Sequence, residues 1–143
     1  MPVANQRSSA ATAYVEQEIR SADPVALIAN VFEVAVAQVA KARAALAAQD
    51  WAGKGKAVDR LTRCIGTLQS SLDMDRGGDV ARNLDRIYSY LLTRLIHAHA
   101  RNDDGAFAEI AKHLGDLASA WRSVSAPATA TATATAAAGT ATP

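Results

Sequence analysis

Val80-Ala81-Arg82-Asn83-Leu84-Asp85-Arg86-Ile87-Tyr88-Ser89-Tyr90-Leu91-Leu92-Thr93-Arg94-Leu95-Ile96-His97-Ala98 is the stretch whose reading decides the fold. Its apolar residues recur at Val80, Leu84, Ile87, Leu91, Leu95 and Ala98, in steps of three and four. At 3.6 residues per turn such steps keep one stripe turned toward a neighbour, and nothing here shows the period of two of a half-buried strand. The same rhythm appears on both sides. Upstream it runs Val25, Ile28, Phe32, Ala35, Val39, Ala42, Leu46, then Val58, Leu61, Ile65, Leu68, Leu72. Downstream it runs Phe107, Ile110, Leu114, Leu117, Trp121.

Punctuation divides these runs. Asp23-Pro24 offers a cap followed by a proline at the first helical position, where its missing N–H costs nothing. Asp50-Trp51 with Gly53 and Gly55, then Gly77-Gly78-Asp79, then Asn102-Asp103-Asp104-Gly105 mark the remaining breaks. The expected helices span about 24–48, 51–74, 79–101 and 104–123. Helices of this length on short loops favour antiparallel neighbours, so the expected fold is all-α, an up-down-up-down four-helix bundle over residues 13–123. A flexible N-terminus (1–12) precedes it, and a short flap opens this domain ahead of the first helix. Residues 124–143 follow as a disordered tail: from Ala126 onward there are nine Ala, six Thr, two Pro and one Gly, with no large side chain to offset the entropy of ordering.

Composition bounds what such a bundle does. The 143 residues suit one domain, and 34 of them are alanine, which leaves one modest core. Fifteen Lys and Arg against 14 Asp and Glu give a net charge of +1, so there is no bulk electrostatic pull toward nucleic acid or an anionic membrane. The first residues contain no apolar signal region. The most apolar window, Pro24 to Ala40, is short for a membrane span and is interrupted by Asn30, Glu33 and Gln38. The expected location is the cytoplasm.

Catalysis finds no foothold in the motifs, and no cofactor or metal is expected. His97 and His99 stand two apart, about 200° around a helix, where a single-helix metal site wants three or four. Cys64, the single cysteine, lies beside the Leu61–Ile65 stripe and reads as a small buried hydrophobe. Asp73, Asp75, Asp79 and Asp85 crowd the Gly77-Gly78 turn, but Arg76 sits among them and no glutamate closes a calcium loop, so capping explains them. Gly53-Lys54-Gly55-Lys56 lacks the spacing and the preceding strand of a phosphate loop. Arg60, Arg63, Arg82, Arg86 and Arg94 all fall off the apolar stripes, which argues against an enzyme that holds a dianion inside the bundle.

Some apolar residues lie off the stripes. Leu27, Val31 and Val34 form a second row on the first helix, and Tyr88, Leu92 and Ile96 form one on the third. Either these rows widen the core, or they line a groove for an amphipathic partner helix. Tyr14, Val15 and Ile19 make a patch ahead of the first helix, as a staple onto the bundle or a flap in that groove. Self-association through the same rows, giving a homodimeric structural or regulatory bundle, is the alternative of another class.

The block Ser71-Leu72-Asp73-Met74-Asp75-Arg76-Gly77-Gly78-Asp79-Val80-Ala81-Arg82-Asn83-Leu84, followed by Ile87-Tyr88-Ser89-Tyr90-Leu91, resembles the signature of the FliS family of flagellin export chaperones. The family pattern there is Ser-Leu-Asp, a turn with paired glycines, Asn-Leu, then Tyr-x-Tyr. Leu95-Ile96-His97-Ala98 with Asp103, Ala13-Tyr14, Asp23-Pro24 to Leu27-Ile28, and the closing Trp121 extend the resemblance over about residues 13–122. It implies a four-helix bundle that holds the disordered C-terminal segment of flagellin in apolar grooves in the cytoplasm. Held there, the cargo cannot polymerise prematurely and stays competent for the flagellar export gate. It also implies that the N-terminal segment occupies part of the groove in the free protein, so that Tyr14–Ile19 is a displaceable flap. The positions expected to meet the partner are thus Tyr14, Val15, Ile19, Leu27, Val31, Val34, Tyr88, Leu92 and Ile96, with no nucleic acid, membrane or catalytic residue involved.

Overall fold

The fold is a computed structural model, and it describes residues 24–124. Four helices follow one another: α1 Pro24–Ala47, α2 Trp51–Ser70, α3 Met74–Arg101 and α4 Asp104–Val124. α1 packs on α2 and α4, and α3 closes the ring by packing on the same two. The most extensive interface is between α1 and α2. Loops of two or three residues make each helix antiparallel to the next, as the spacing of the breaks predicts.

Each turn has a local cause. α1 ends with Gln49 in the left-handed region (φ 55°), which lets its N–H reach Leu46 O (3.1 Å) and Asp50 N–H reach Ala45 O (2.8 Å). That is the Schellman pattern, with glutamine in place of the usual glycine. Asp50 then caps α2 by accepting from Gly53 N–H (3.0 Å). The Asp50 carboxylate lies close over Gly53, 2.2 Å from where a Cβ would stand, so a side chain there would shift the capping carboxylate. At the other end of α3, Asn102 takes the left-handed conformation (φ 50°, ψ 44°), and Asp103 caps α4 through Ala106 N–H (3.1 Å).

The middle turn departs from expectation. α2 stops at Ser70, not near 74, with the hydroxyls of Ser70 and Ser71 bonded back to Thr67 O and Leu68 O. The next helical turn begins at Met74, capped by Asp73, whose carboxylate accepts from Asp75 and Arg76 N–H. Gly78 (φ 53°, ψ −128°) breaks that turn from the rest of α3. Only glycine visits such a conformation readily. Gly77 serves differently: a Cβ there would sit 2.5 Å from Ala81 Cβ.

The core joins all four helices, with Phe32, Val39, Leu61, Ile65, Leu68, Tyr88, Leu91, Leu95, Phe107, Ile110 and Leu114 among its buried side chains. Buried alanines at 35, 42, 57, 98 and 106 stand where helices approach, and their small size permits that closeness. One stripe is rotated from its expected position. On α3 the buried set is Ala81, Tyr88, Leu91, Leu95 and Ala98, while Ile87 is 36% exposed. Leu84, Tyr88, Leu91, Leu95, Ala98 alternate strictly four and three. The expected run through Ile87 needs two consecutive steps of four, which drifts off the stripe. α1, at 24 residues, is by length and composition long and apolar enough to cross a membrane, more so than its Pro24–Ala40 part suggests. In the bundle it buries Phe32, Ala35, Gln38, Val39 and Ala42 against its neighbours.

Candidate functional site

The candidate site is the surface left beside the core, and the contacts between helices say which surface belongs to which groove. Gln69 of α2 donates to Asp85 Oδ1 (2.9 Å) and Ser89 Oγ (2.8 Å), fixing that side of α3 against α2. Leu92 and Ile96 lie three and seven residues past Ser89, on the same flank. Leu92 is half-buried and packs on the core, whereas Ile96 is 71% exposed. Tyr88 differs: it is only 3% exposed and belongs to the core, and burial pushes its phenol up to about 12. As a groove contact it is displaced by the rotated stripe, so Tyr88 supports this flank from beneath.

On α1 two contacts mark the α4 side. Phe32 packs against Trp121 (centroids 6.2 Å apart, planes at 39°), and Arg43 holds Asp104 through two bonds of 2.9 and 3.0 Å. Leu27, Val31 and Val34 therefore turn toward α2, with Leu27 and Val31 half-buried and Val34 41% exposed. The two expected rows thus flank α2 on opposite sides and do not share a single groove. Tyr14, Val15 and Ile19 lie outside the described residues.

A third apolar cleft runs between α3 and α4, lined by Ile87, Tyr90, His113 and Leu117 with Arg86 and Asp116 at its rim. The sequence reading did not single it out, because Ile87 is assigned there to the core stripe. Tyr90 is pinned: its hydroxyl donates to Glu109 (2.7 Å), Arg94 Nε bonds the same carboxylate (3.0 Å), and its ring meets His113 edge-on at 6.3 Å. The bond from Tyr90, then the charge of Arg94, holds Glu109 below the usual carboxylate range.

A polar cluster that the sequence reading missed seals the end of the bundle that carries the 48–50 and 102–103 turns. Lys54 is buried (5% exposed), and its ammonium donates to His99 O (3.0 Å) and to Asn102 Oδ1 while lying 5.5 Å from the Trp51 ring centroid. It meets one of the last carbonyls of α3, where a helix C-terminus favours a cation. Burial, and secondarily the charge of Lys54, lowers the pKa of His99. His97 Nε2 sits 3.3 Å from Asp103. The signal was present, since a lysine between two glycines in a first helical turn can reach across a bundle end, but sequence does not show which helix end it meets.

Chemically these groups hold structure together. Burial pushes the half-buried Cys64 thiol up, away from the reactive thiolate. Among the described residues no group of three His, Cys, Asp or Glu could hold a metal ion.

The sequence matches the profile of one family, described as Flagellar protein FliS, over residues 6–128. The chain is similar to the flagellar secretion chaperone FliS of Salmonella typhimurium, 36% identical over 112 residues, or 78% of this chain and 83% of that protein. It is also similar to the flagellar secretion chaperone FliSB of Pseudomonas aeruginosa (32% identical over 111 residues, 78% and 88% of the two chains) and to FliS of Vibrio cholerae (24% over 110 residues, 77% and 81%). The aligned span includes the Ser71–Leu91 block and all four helices of the bundle. These proteins are secretion chaperones and not enzymes. The chain therefore belongs to the FliS family of flagellar proteins.

Proposed function

We propose that this protein is a flagellar secretion chaperone that holds the C-terminal segment of flagellin against the apolar flanks of α2. Family membership supports the chaperone role in flagellar export. The observation that carries the finer reading is the pair of rows beside α2, with Val34 at 41% and Ile96 at 71% exposed next to a fully packed core. A cargo helix laid on either row buries apolar surface at about 25 cal/mol per Å². Folding of the segment on binding costs roughly 2–5 kcal/mol, which keeps the complex reversible. In this reading the protein works in the cytoplasm, where covering the cargo's apolar face blocks premature polymerisation until delivery to the export gate. Tyr14, Val15 and Ile19 act as a flap that the cargo displaces.

Isothermal titration of the full chain with the flagellin C-terminal segment from the same organism tests the proposal. The expected result is a 1:1 complex with a negative heat-capacity change. Ile96→Asp and Val34→Asp, both at exposed positions, should each weaken it about tenfold while helical circular dichroism and melting stay unchanged. No heat and no co-elution, with the free chain running as a dimer on a sizing column, would replace the proposal by a self-associating bundle.

A further inference from the structure

The face where α1 meets α2 carries an uncompensated charge pattern. Lys41 precedes Arg43 by two residues, about 200° around the helix, so it leaves α1 on the flank away from α4. On α2, Arg60 stands nine residues before Gln69, half a revolution from the α3 side, and Lys56 is one turn before Arg60. The antiparallel register places Lys41, six residues before Ala47, level with Ala57, six residues after Trp51, and so between Lys56 and Arg60. All three are exposed, and among the described residues none has an ion pair, although Arg43, Arg63, Arg82, Arg94 and Lys112 each have a carboxylate. The nearby acids do not answer them: Asp59 is taken by Arg63, and Glu33 is eight residues from Lys41, about 12 Å along α1.

Below the cations the same flank turns apolar, with Val34 exposed and Val31 half-buried. Between the two zones Gln38 is 5% exposed, and its Oε1 finds no donor. From Lys41 to Val31 is ten residues, roughly 15 Å or three helical turns. A basic half followed by an apolar half over that length is complementary to a short helix with carboxylates at one end and aliphatic side chains at the other.

We infer that this face docks an acidic amphipathic helix of a partner protein, its carboxylates against Lys41, Lys56 and Arg60 and its apolar side chains over Val31 and Val34. The inference rests on reading the α1 row as a docking groove, and it adds the charge that the occupant must carry. The probes are two fluorescein-labelled 18-residue helical peptides with one leucine face, differing only in four glutamates or four glutamines at one end. By anisotropy in 50 mM salt the full chain should bind the glutamate peptide at least about tenfold tighter. That preference should fall to within about twofold in 0.5 M salt, and likewise in the triple variant Lys41→Gln, Lys56→Gln, Arg60→Gln, whose circular dichroism should match wild type.

Equal binding of the two peptides by the wild-type chain, or a preference that survives in the triple variant, overturns the inference. So does a tenfold gain in glutamate-peptide affinity when residues 1–23 are removed, since the chain's own Glu16 and Glu18 would then be the occupant. Titrating the flagellin segment alongside keeps the two readings apart. Flagellin binding without any glutamate preference defeats this inference alone, and a glutamate preference without flagellin binding defeats the cargo reading alone.

Discussion

The two ends of the bundle are closed by different means. At the end with the 48–50 and 102–103 turns, left-handed Gln49 and Asn102 reverse the chain, and Lys54, Asp103 and the Arg43–Asp104 pair knit all four helices with polar bonds. At the opposite end the closure is aromatic and conformational. Trp121 Nε1–H donates to Val25 O (3.0 Å) over Phe32, and the Asp73-capped turn folds back at Gly78. A polar closure tolerates few substitutions because a buried donor or acceptor left unpaired costs its full desolvation. A conformational closure depends on one backbone angle, and its surroundings tolerate more.

The sharpest way to break this contrast is Lys54→Ala. It leaves His99 O and Asn102 Oδ1 without their donor, and the expected loss is about 2–3 kcal/mol, read as a drop in thermal midpoint of roughly 10 °C. An unchanged midpoint would mean that water replaces the ammonium there. Next comes Gly78→Ala, which must adopt a positive φ that L residues rarely take. It should cost about 1–2 kcal/mol, while amide exchange should quicken over residues 74–78 alone and leave the Lys54 end protected. Exchange that quickens equally at both ends would show one cooperative unit where two closures are described.

The smallest expected effect is a pH dependence at the polar end. The folded-state pKa of His99 is lowered by burial and then by Lys54, so the unfolded chain binds its proton more readily. Stability from this group is complete above its ordinary value near 6.5 and declines as pH falls through the lowered folded value. His99→Gln should flatten that decline between pH 7 and 5, as followed by chemical denaturation. A wild-type slope in the variant would assign the effect to another group.

The phase of a stripe is less legible than its existence. Ile87 and Tyr88 are adjacent and both apolar, so the third helix reads equally well through either one from local spacing. The strict four-three alternation through Ala81, Tyr88 and Ala98 decides it only when four helices close around a common axis. The same rotation takes Tyr88 into the core and leaves Ile87 and Tyr90 outside, opening the α3–α4 cleft. The two partner rows are each legible as apolar positions off a stripe. That they stand on opposite flanks of α2 depends on which neighbours Gln69 and Arg43 bond, a fact of tertiary contact.

What the sequence by itself determined is the helical class, the number of helices, the approximate breaks and the family, because periodicity, caps and the Ser71–Leu91 block are local patterns. Only the tertiary structure decided which face of α3 is core, that Lys54 is buried at a helix end, and where cation and apolar rows meet between α1 and α2. Those outcomes depend on long-range packing: a side chain's surroundings are set by the helices that close around it, and no window of its own sequence contains them.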